Sequence, residues 1–155
     1  NVTLSVESHN GEIEKFIGDC VMASFPAEQP KEAIHAAIDI LRRTSRMSLA
    51  MNSILSEKRI SCGIGMAIGS TIEGNVGSGT RMDYTILGDV VNTAQRLEQL
   101  TRLLPFYLAM TPELKDVVTS DFNCVNMGAY DLKGKQNSVE IFSIDLPETR
   151  KAINS

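Results

Sequence analysis

The stretch GIGMAIGSTIEGNVGSGTRMDYTILGDVVNTAQRLEQLT, residues 63–101, predicts a strand, a glycine-rich turn, a second strand and a helix. Its first part alternates small and apolar residues, and its last part has apolar residues at helical spacing. The glycines of GIGMAIG lie inside the predicted strand and open no helix, which favours close strand–helix packing over a dinucleotide site. GNVGSG lacks the Gly-Lys-Ser/Thr ending of a P-loop, so we interpret it as the turn of a β-hairpin.

Strands and helices also alternate on both sides of this stretch. Upstream, the pattern predicts a strand pair over 12–25 with a tight turn at Gly18-Asp19, a loop at 26–30, a helix over 31–57 and a strand over 60–68. Residues 1–10 fit a helix end or an edge strand, and residues 44–48 fit a kink or a break between two helices. Downstream, PFYLAMT predicts a strand, Thr111-Pro112-Glu113 a helix start, and residues 124–144 two strands around a Gly-Lys turn. This order predicts an α+β fold, a sheet with helices on one face.

Composition excludes several classes of protein. A length of 155 residues predicts a single domain, residues 1–155, and the net charge of −4 argues against a general nucleic-acid binder. No apolar run reaches the roughly 18–20 residues of a membrane span, and no secretory signal is visible. The cysteines are odd in number and far apart, at Cys20, Cys62 and Cys124. They predict reduced thiols in a cytoplasmic protein rather than disulfides or a zinc site.

Two polar residues on the helix after Gly88 are candidates for chemistry. Asn92 and Arg96 are four residues apart, so they project from one face near the apolar residues Val91 and Leu97. An arginine at such a boundary requires an anion. A structural salt bridge and a phosphoryl group whose charge grows in a transition state both satisfy this requirement.

Other polar residues also have a structural and a functional interpretation. Asp19 fits a plain turn aspartate or a Mg²⁺ ligand. Lys133 and Lys135 of LKGK fit solvated turn lysines or phosphate contacts. His9 and His35 fit ordinary surface or helix histidines, and neither is paired in sequence with a serine or cysteine nucleophile, so a hydrolase triad has little support.

Three segments together resemble a known family. EKFIGDCVMASF (14–25), the stretch at 63–101 and LKGK (132–135) have the order and spacing of class III nucleotidyl cyclase catalytic domains. The resemblance covers residues 14–135 and implies a ferredoxin-like, cyclase-type βαββαβ sheet. KFIGDCVMASF and LTRLLPFYLAMT most resemble the cyclase domains of BLUF-linked photoactivated adenylyl cyclases. No photoreceptor segment is present, so no flavin is expected within these residues.

The resemblance implies how the purine and the metals are held. Lys15 matches the position that reads the purine, where an ammonium can donate to adenine N1 and guanylyl cyclases place a glutamate. Thr85 matches the second purine-reading position, and threonine resembles the subgroup with bicarbonate-responsive and many bacterial enzymes. Asp19 matches the second of two aspartates that hold two Mg²⁺ or Mn²⁺ ions against the triphosphate.

The resemblance also implies the catalytic and phosphate-binding groups. Asn92 matches the residue that orients the ribose, and Arg96 the one that stabilises the charge developing at the α-phosphate. Arg81 and Lys133 match the basic residues that grip the β- and γ-phosphates. The implied reaction is in-line attack of the 3′-oxygen on the α-phosphorus of ATP, which yields cyclic AMP and pyrophosphate.

In this family each site lies at a head-to-tail homodimer interface. One protomer supplies the metals and the match of Arg81, and the other supplies the remaining site residues. Lys15 and Asp19 are therefore expected to serve two different sites. The family's first metal aspartate lies in a strand upstream of the Lys15 motif, and residues 1–14 contain no match for it. Either the domain is truncated at its N-terminus or it is a degenerate cyclase, and the intact downstream set of site residues favours truncation. We expect this polypeptide alone to bind two metals poorly and to turn over weakly or not at all.

These implications lead to an adenylyl cyclase catalytic domain regulated by an N-terminal sensor domain of the parent protein. A guanylyl cyclase is the first alternative, and Lys15 argues against it. A non-catalytic nucleotide-binding or dimerisation module is the second alternative, and the retained site residues argue against it.

Overall fold

Twelve helices and strands make up the described part of the chain. The structure is a computed structural model that describes residues 2–52, 60–78 and 81–152, and their side chains except at 52 and 76–85. The helices are α1 (Val2–Glu7), α2 (Pro30–Asn52), α3 (Asp89–Leu100) and α4 (Pro112–Val118). The strands are β1 (Glu12–Ile17), β2 (Cys20–Ser24), β3 (Ile64–Met66), β4 (Ile72–Ser78), β5 (Arg81–Leu87), β6 (Leu108–Met110), β7 (Cys124–Tyr130) and β8 (Val139–Ile144).

A four-stranded sheet forms the centre of the fold. Its strand order is β3-β6-β8-β7, with β3 and β6 parallel and the other neighbours antiparallel. The remaining strands form two antiparallel hairpins, β1–β2 and β4–β5, and β1 lies beside β5. The α+β class is confirmed, and the order α1–β1–β2–α2–β3 follows the αββαβ part of the expected βαββαβ order.

Helices cover both faces of the central sheet, which corrects the expectation of helices on one face. Along β6, Leu108 and Met110 pack with α2 and α4, whereas Ala109 between them packs with Leu97 of α3. Since successive side chains of a strand point to opposite faces, α3 lies opposite α2 and α4. The apolar spacing of a helix predicts that it packs on a sheet, but not on which side.

The glycines around β3 allow α3 to approach the sheet closely. A Cβ atom at Gly65 would collide with the Ala94 carbonyl oxygen and the Glu98 amide nitrogen, and one at Gly63 would collide with the Thr101 hydroxyl. The strand–helix packing predicted from GIGMAIG is therefore confirmed.

Two helices follow local sequence signals. Helix α2 is continuous, which excludes two separate helices over 31–52. Within it the Thr44 hydroxyl donates to the Ile40 carbonyl at 2.8 Å. Helix α4 begins as predicted, with the Thr111 hydroxyl accepting from the Leu114 amide at 3.4 Å and proline in the first turn.

The strands around the glycine-rich segment differ in length from the prediction. Strand β3 covers only Ile64–Met66 of the predicted 60–68. Strands β4 and β5 instead pair through much of the glycine-rich segment, which the sequence predicted to be a turn. Backbone pairing requires no side chain, so glycine composition alone cannot mark where the strands end.

The N-terminal segment is a helix and not an edge strand. The Ser5 hydroxyl of α1 donates to the Asp39 carboxylate of α2 at 2.7 Å. The chain leaves α1 through Asn10, whose φ of 61° is in the left-handed region. None of the described helices combines the length and apolarity that crossing a membrane requires.

Candidate active site

Helix α3 carries Asn92 and Arg96 one turn apart. It begins at Asp89, and the backbone N–H of Asn92 donates to the Gly88 carbonyl at 3.4 Å. Leu97 is fully buried against the sheet, Arg96 is half-buried and Asn92 is exposed. The helix therefore presents the Arg96 guanidinium at the boundary of the core, as predicted, whereas Asn92 is more exposed than the sequence predicted.

The turn at residues 132–135, between β7 and β8, lies against this helix. Leu132 is buried in the same apolar cluster as Leu97, and the Lys135 amide closes the turn by donating to the Leu132 carbonyl at 2.9 Å. A Cβ atom at Gly134 would lie 3.4 Å from both terminal nitrogens of Arg96. The Arg96 guanidinium thus sits on the Gly134 backbone, next to Lys133 in the chain.

No carboxylate of a described side chain forms a salt bridge with Arg96. The acidic residue at the start of the same helix, Asp89, is bound by the Lys135 ammonium instead. A half-buried guanidinium of this kind can accept an external anion. Of the two interpretations of Arg96, the described residues favour the external anion over the structural salt bridge.

Lys15 lies on the β1–β2 hairpin, half-buried and opposite Met22. The register shifts between Ile13 and Lys15, which makes Glu14 the extra residue of a β-bulge. The Glu14 carboxylate accepts a hydrogen bond from the Ser24 hydroxyl of β2. Bulges change the direction of neighbouring side chains, so this one contributes to where Lys15 points.

Asp19 lies in the two-residue turn of the same hairpin. Gly18 precedes it with φ of 63°, and both residues are exposed. No lysine or arginine among the described side chains pairs with the Asp19 carboxylate. The described His, Cys, Asp and Glu side chains contain no group of three that could hold a metal ion. The predicted metal-ligand role of Asp19 therefore stays a prediction.

Arg81 and Thr85 belong to β5, where their backbones pair with Ser78 and Gly74. Their side chains lie outside the described residues, so their predicted roles stay predictions. Strand β5 connects the two regions above, because β1 lies beside it and α3 follows it after Gly88.

The sequence missed the contact that joins α3 to the turn. It proposed Lys133 and Arg96 separately, and it interpreted Lys135 as solvated or phosphate-binding, whereas the ammonium pairs with Asp89. Gly88-Asp89 at the start of the helix and Gly134 in LKGK are visible in the sequence. Neither indicates which distant residue it contacts.

Cys62, Cys124 and both histidines lie outside this constellation. Burial is the main cause that raises the pKa of the Cys62 and Cys124 thiols, which disfavours the thiolate that a nucleophile requires. His9 and His35 stack with ring centroids 6.1 Å apart, and His9 Nδ1 lies 3.0 Å from the Glu32 carboxylate. Both contacts join the end of α1 to α2.

Known proteins are similar in sequence to most of the chain. The chain matches the sequence model of the adenylate and guanylate cyclase catalytic domain over residues 4–145. It is 33% identical over 147 residues to the terminal-differentiation-specific adenylate cyclase of Dictyostelium discoideum, covering 90% of this chain and 7% of that protein. It is 26% identical over 153 residues to the photoactivated adenylate cyclase subunit beta of Euglena gracilis, covering 92% of this chain and 18% of that protein.

A solved structure of a bacterial light-regulated adenylyl cyclase is also similar. It superposes with a TM-score of 0.85 at 37% sequence identity, covering 99% of this chain and 43% of that chain. The present chain thus spans less than half the length of each of these three proteins.

Proposed function

Because this chain belongs to the adenylate and guanylate cyclase catalytic domain family, we propose that it is the catalytic domain of an adenylyl cyclase. The reaction is the conversion of ATP to 3′,5′-cyclic AMP and pyrophosphate. The family membership confirms the resemblance expected from the sequence. The adenylyl specificity is supported by relatives and a structural neighbour that are named adenylyl cyclases.

The observation that carries the proposal is the cationic surface where α3 meets the turn at 132–135. Arg96 is half-buried, has no carboxylate partner among the described side chains and rests on Gly134. Lys133 is exposed one residue away from that contact. A guanidinium without a carboxylate partner among the described side chains, beside a turn that carries a second cation, suits a polyphosphate.

The mechanism assigns each group a step in one displacement. Asn92 orients the ribose so that its 3′-oxygen lies in line with the α-phosphorus. The bond from the 3′-oxygen to phosphorus forms as the bond to the β-phosphate oxygen breaks, and the hydroxyl proton passes to solvent. Arg96 stabilises the negative charge that grows on the α-phosphate, while Lys133 and Arg81 hold the pyrophosphate that leaves.

Asp19 can serve as a ligand of Mg²⁺ or Mn²⁺. We propose two such ions per complete site. Its carboxylate is exposed in a turn, and Mg²⁺ is commonly bound by one or two carboxylates together with substrate phosphates. Residues 1–14 contain no match for the family's first metal aspartate, so Asp19 is the one carboxylate ligand that this proposal assigns within the chain. When bound, the ions acidify the 3′-hydroxyl and neutralise phosphate charge.

Lys15 and Thr85 select the purine in this proposal. The Lys15 ammonium donates a hydrogen bond to adenine N1. Guanine cannot accept this bond, because its N1 carries a hydrogen. The selection of ATP over GTP therefore depends on a residue of the β1–β2 hairpin.

We further propose a head-to-tail homodimer with two sites. Large apolar side chains are exposed on both hairpins: Phe16 (64%), Ile17 (52%), Ile72 (74%) and Leu87 (48%). The two hairpins are neighbours, since β1 lies beside β5, and a contiguous exposed apolar patch is typical of a protein interaction surface. In such a dimer Lys15 and Asp19 of one protomer serve different sites.

The parent protein, in this proposal, adds a sensor domain N-terminal to the cyclase domain. Relatives described as photoactivated or light-regulated support a light sensor there. The three free cysteines favour a reducing compartment, and we place the protein in the cytoplasm.

The test is turnover of the full-length protein with Mn²⁺-ATP and, separately, Mn²⁺-GTP, with both cyclic nucleotides separated by chromatography. We expect cyclic AMP and an equal amount of pyrophosphate. Cyclic GMP as the main product would establish the guanylyl alternative instead. No product with either nucleotide would favour a non-catalytic nucleotide-binding or dimerisation module.

A further inference from the structure

The turn at residues 132–135 is attached to α3 at three points along the helix. Leu132 packs into the cluster that contains Leu97, the Gly134 backbone lies on Arg96, and the Lys135 ammonium binds the Asp89 carboxylate. The first attachment is apolar and buried. The last joins exposed groups at the first residue of the helix, about 10 Å along its axis from Arg96.

Two observations favour glycine at the middle attachment. The φ of Gly134, 82°, is in the left-handed region, which glycine adopts without strain. An added Cβ would also lie 3.4 Å from both terminal nitrogens of Arg96, at the short end of ordinary van der Waals contact. A side chain here would strain the turn and press on the guanidinium.

The ion pair at the end of the turn affects the electrostatics of the site. Asp89, Asn92 and Arg96 follow one another at spacings of three and four, so they share one face of α3. An unneutralised carboxylate on this face would repel a polyphosphate. Lys135 binds that carboxylate, and its backbone amide donates to the Leu132 carbonyl, so the ion pair connects the short turn to the start of the helix.

We propose that Asp89, Gly134 and Lys135 are positioning residues that hold Arg96 and Lys133 in place for the triphosphate. This inference rests on the proposed cyclase function. The ion pair acts as a clasp, and Lys135 is not itself a phosphate ligand.

The clasp is tested with Lys135→Met, Asp89→Asn and the double variant in the full-length protein. Exposed ion pairs contribute little to stability, so we expect an unchanged fold and a rise in the KM for ATP of about 3- to 5-fold in each single variant. The double variant loses the same single interaction and does not leave the Asp89 carboxylate unneutralised, so its KM should be no higher than that of Lys135→Met. Lys135→Arg should restore the wild-type KM. The matched control is Lys31→Met, which removes another surface ion pair, with Asp121, and should leave the KM unchanged.

Gly134→Ala tests the contact with Arg96 separately. We expect kcat to fall at least about 10-fold, because small displacements of a catalytic group have large effects on rate. The matched control is Gly128→Ala, since Gly128 also has positive φ (97°) but no atom closer than 3.9 Å to its added Cβ. Equal losses in both variants would overturn the positioning role.

A second measurement separates this inference from the proposed function. Binding of inorganic tripolyphosphate by calorimetry and amide hydrogen exchange at residue 135, whose amide donates to the Leu132 carbonyl, require no turnover. If the wild-type protein makes no cyclic AMP, the function fails, while weaker tripolyphosphate binding and faster exchange in Lys135→Met still support the clasp. Additive losses in the double variant, or unchanged exchange at residue 135, would overturn the clasp whether or not the enzyme is active.

Discussion

The α3–turn region and the β1–β2 hairpin carry predicted site residues on very different supports. Helix α3 is anchored by the fully buried Leu97 and by its close approach to Gly65 of β3. The hairpin is two-stranded and leaves Phe16 and Ile17 more than half exposed. One region is thus organised by the core of the chain, and the other presents its residues on the surface.

This difference indicates how the site is divided. A group that stabilises a developing charge, such as the Arg96 guanidinium, is most effective when it is already in place before the reaction. A rigid support keeps it there. The hairpin carries Lys15 and Asp19, which in our proposal complete two different sites of a dimer. Its exposed apolar residues suit a surface that becomes covered on assembly.

The largest expected effect comes from removing the cation of the rigid region. Arg96→Ala should lower kcat for cyclic AMP formation by about 10²- to 10³-fold, the loss typical of one group that stabilises a transition-state charge. Steady-state kinetics measures this, and Arg102→Ala, on the exposed loop after α3, is the control. A loss confined to KM would contradict the role at the α-phosphate.

A change of specificity is expected from the hairpin. Lys15→Glu should lower kcat/KM for ATP by about 10- to 100-fold, since a charged hydrogen bond to adenine is lost. Turnover of GTP should fall less or rise. Competition between the two nucleotides measures the ratio, with Lys115→Glu on α4 as control. An unchanged ratio would mean that the hairpin does not read the purine.

A smaller effect, on stability alone, tests the support of α3. Gly65→Ala places a Cβ against the helix backbone, and we expect the free energy of unfolding to fall by about 1–3 kcal/mol. Gly74→Ala has no atom within 4 Å of the new Cβ and should change it by less than about 0.5 kcal/mol. Urea unfolding compares the two, and equal effects would mean that the close packing does not matter.

The smallest effect lies outside both regions and depends on pH. The Ser5 hydroxyl, and secondarily Arg43, lower the pKa of the Asp39 carboxyl below its ordinary value, although burial opposes them. A carboxyl with a lowered folded-state pKa contributes stability above its unfolded pKa of about 4 and loses it as the pH falls through the folded-state pKa. Asp39→Asn should therefore be less stable than wild type at pH 7, and the difference should shrink below about pH 4. Urea unfolding at both pH values checks this, and a constant difference would contradict it.

Local signals in the sequence predicted several parts of the fold well. The Gly18-Asp19 turn, the Thr111 cap and the placement of Asn92 and Arg96 on one helix depend on neighbours within a few residues. Their physical causes are therefore contained in short stretches of sequence.

Features that depend on distant partners could not be predicted in this way. The side of the sheet that α3 covers, the bulge at Glu14 and the contact of Gly134 with Arg96 each join segments far apart in the chain. The LKGK motif suggested a phosphate contact for Lys135, but its carboxylate partner lies 46 residues away. Only the folded chain shows that pairing.

The division of each site between two protomers is tested most directly by complementation of two inactive variants. Full-length Asp19→Asn and Arg96→Ala proteins should each be nearly inactive. When the two are co-expressed, half of randomly mixed dimers are heterodimers with one intact site, so activity should return to about a quarter of wild type. Asn92→Ala with Arg96→Ala, which affect the same half of each site, should not recover. Failure of Asp19→Asn and Arg96→Ala to complement would contradict the shared site.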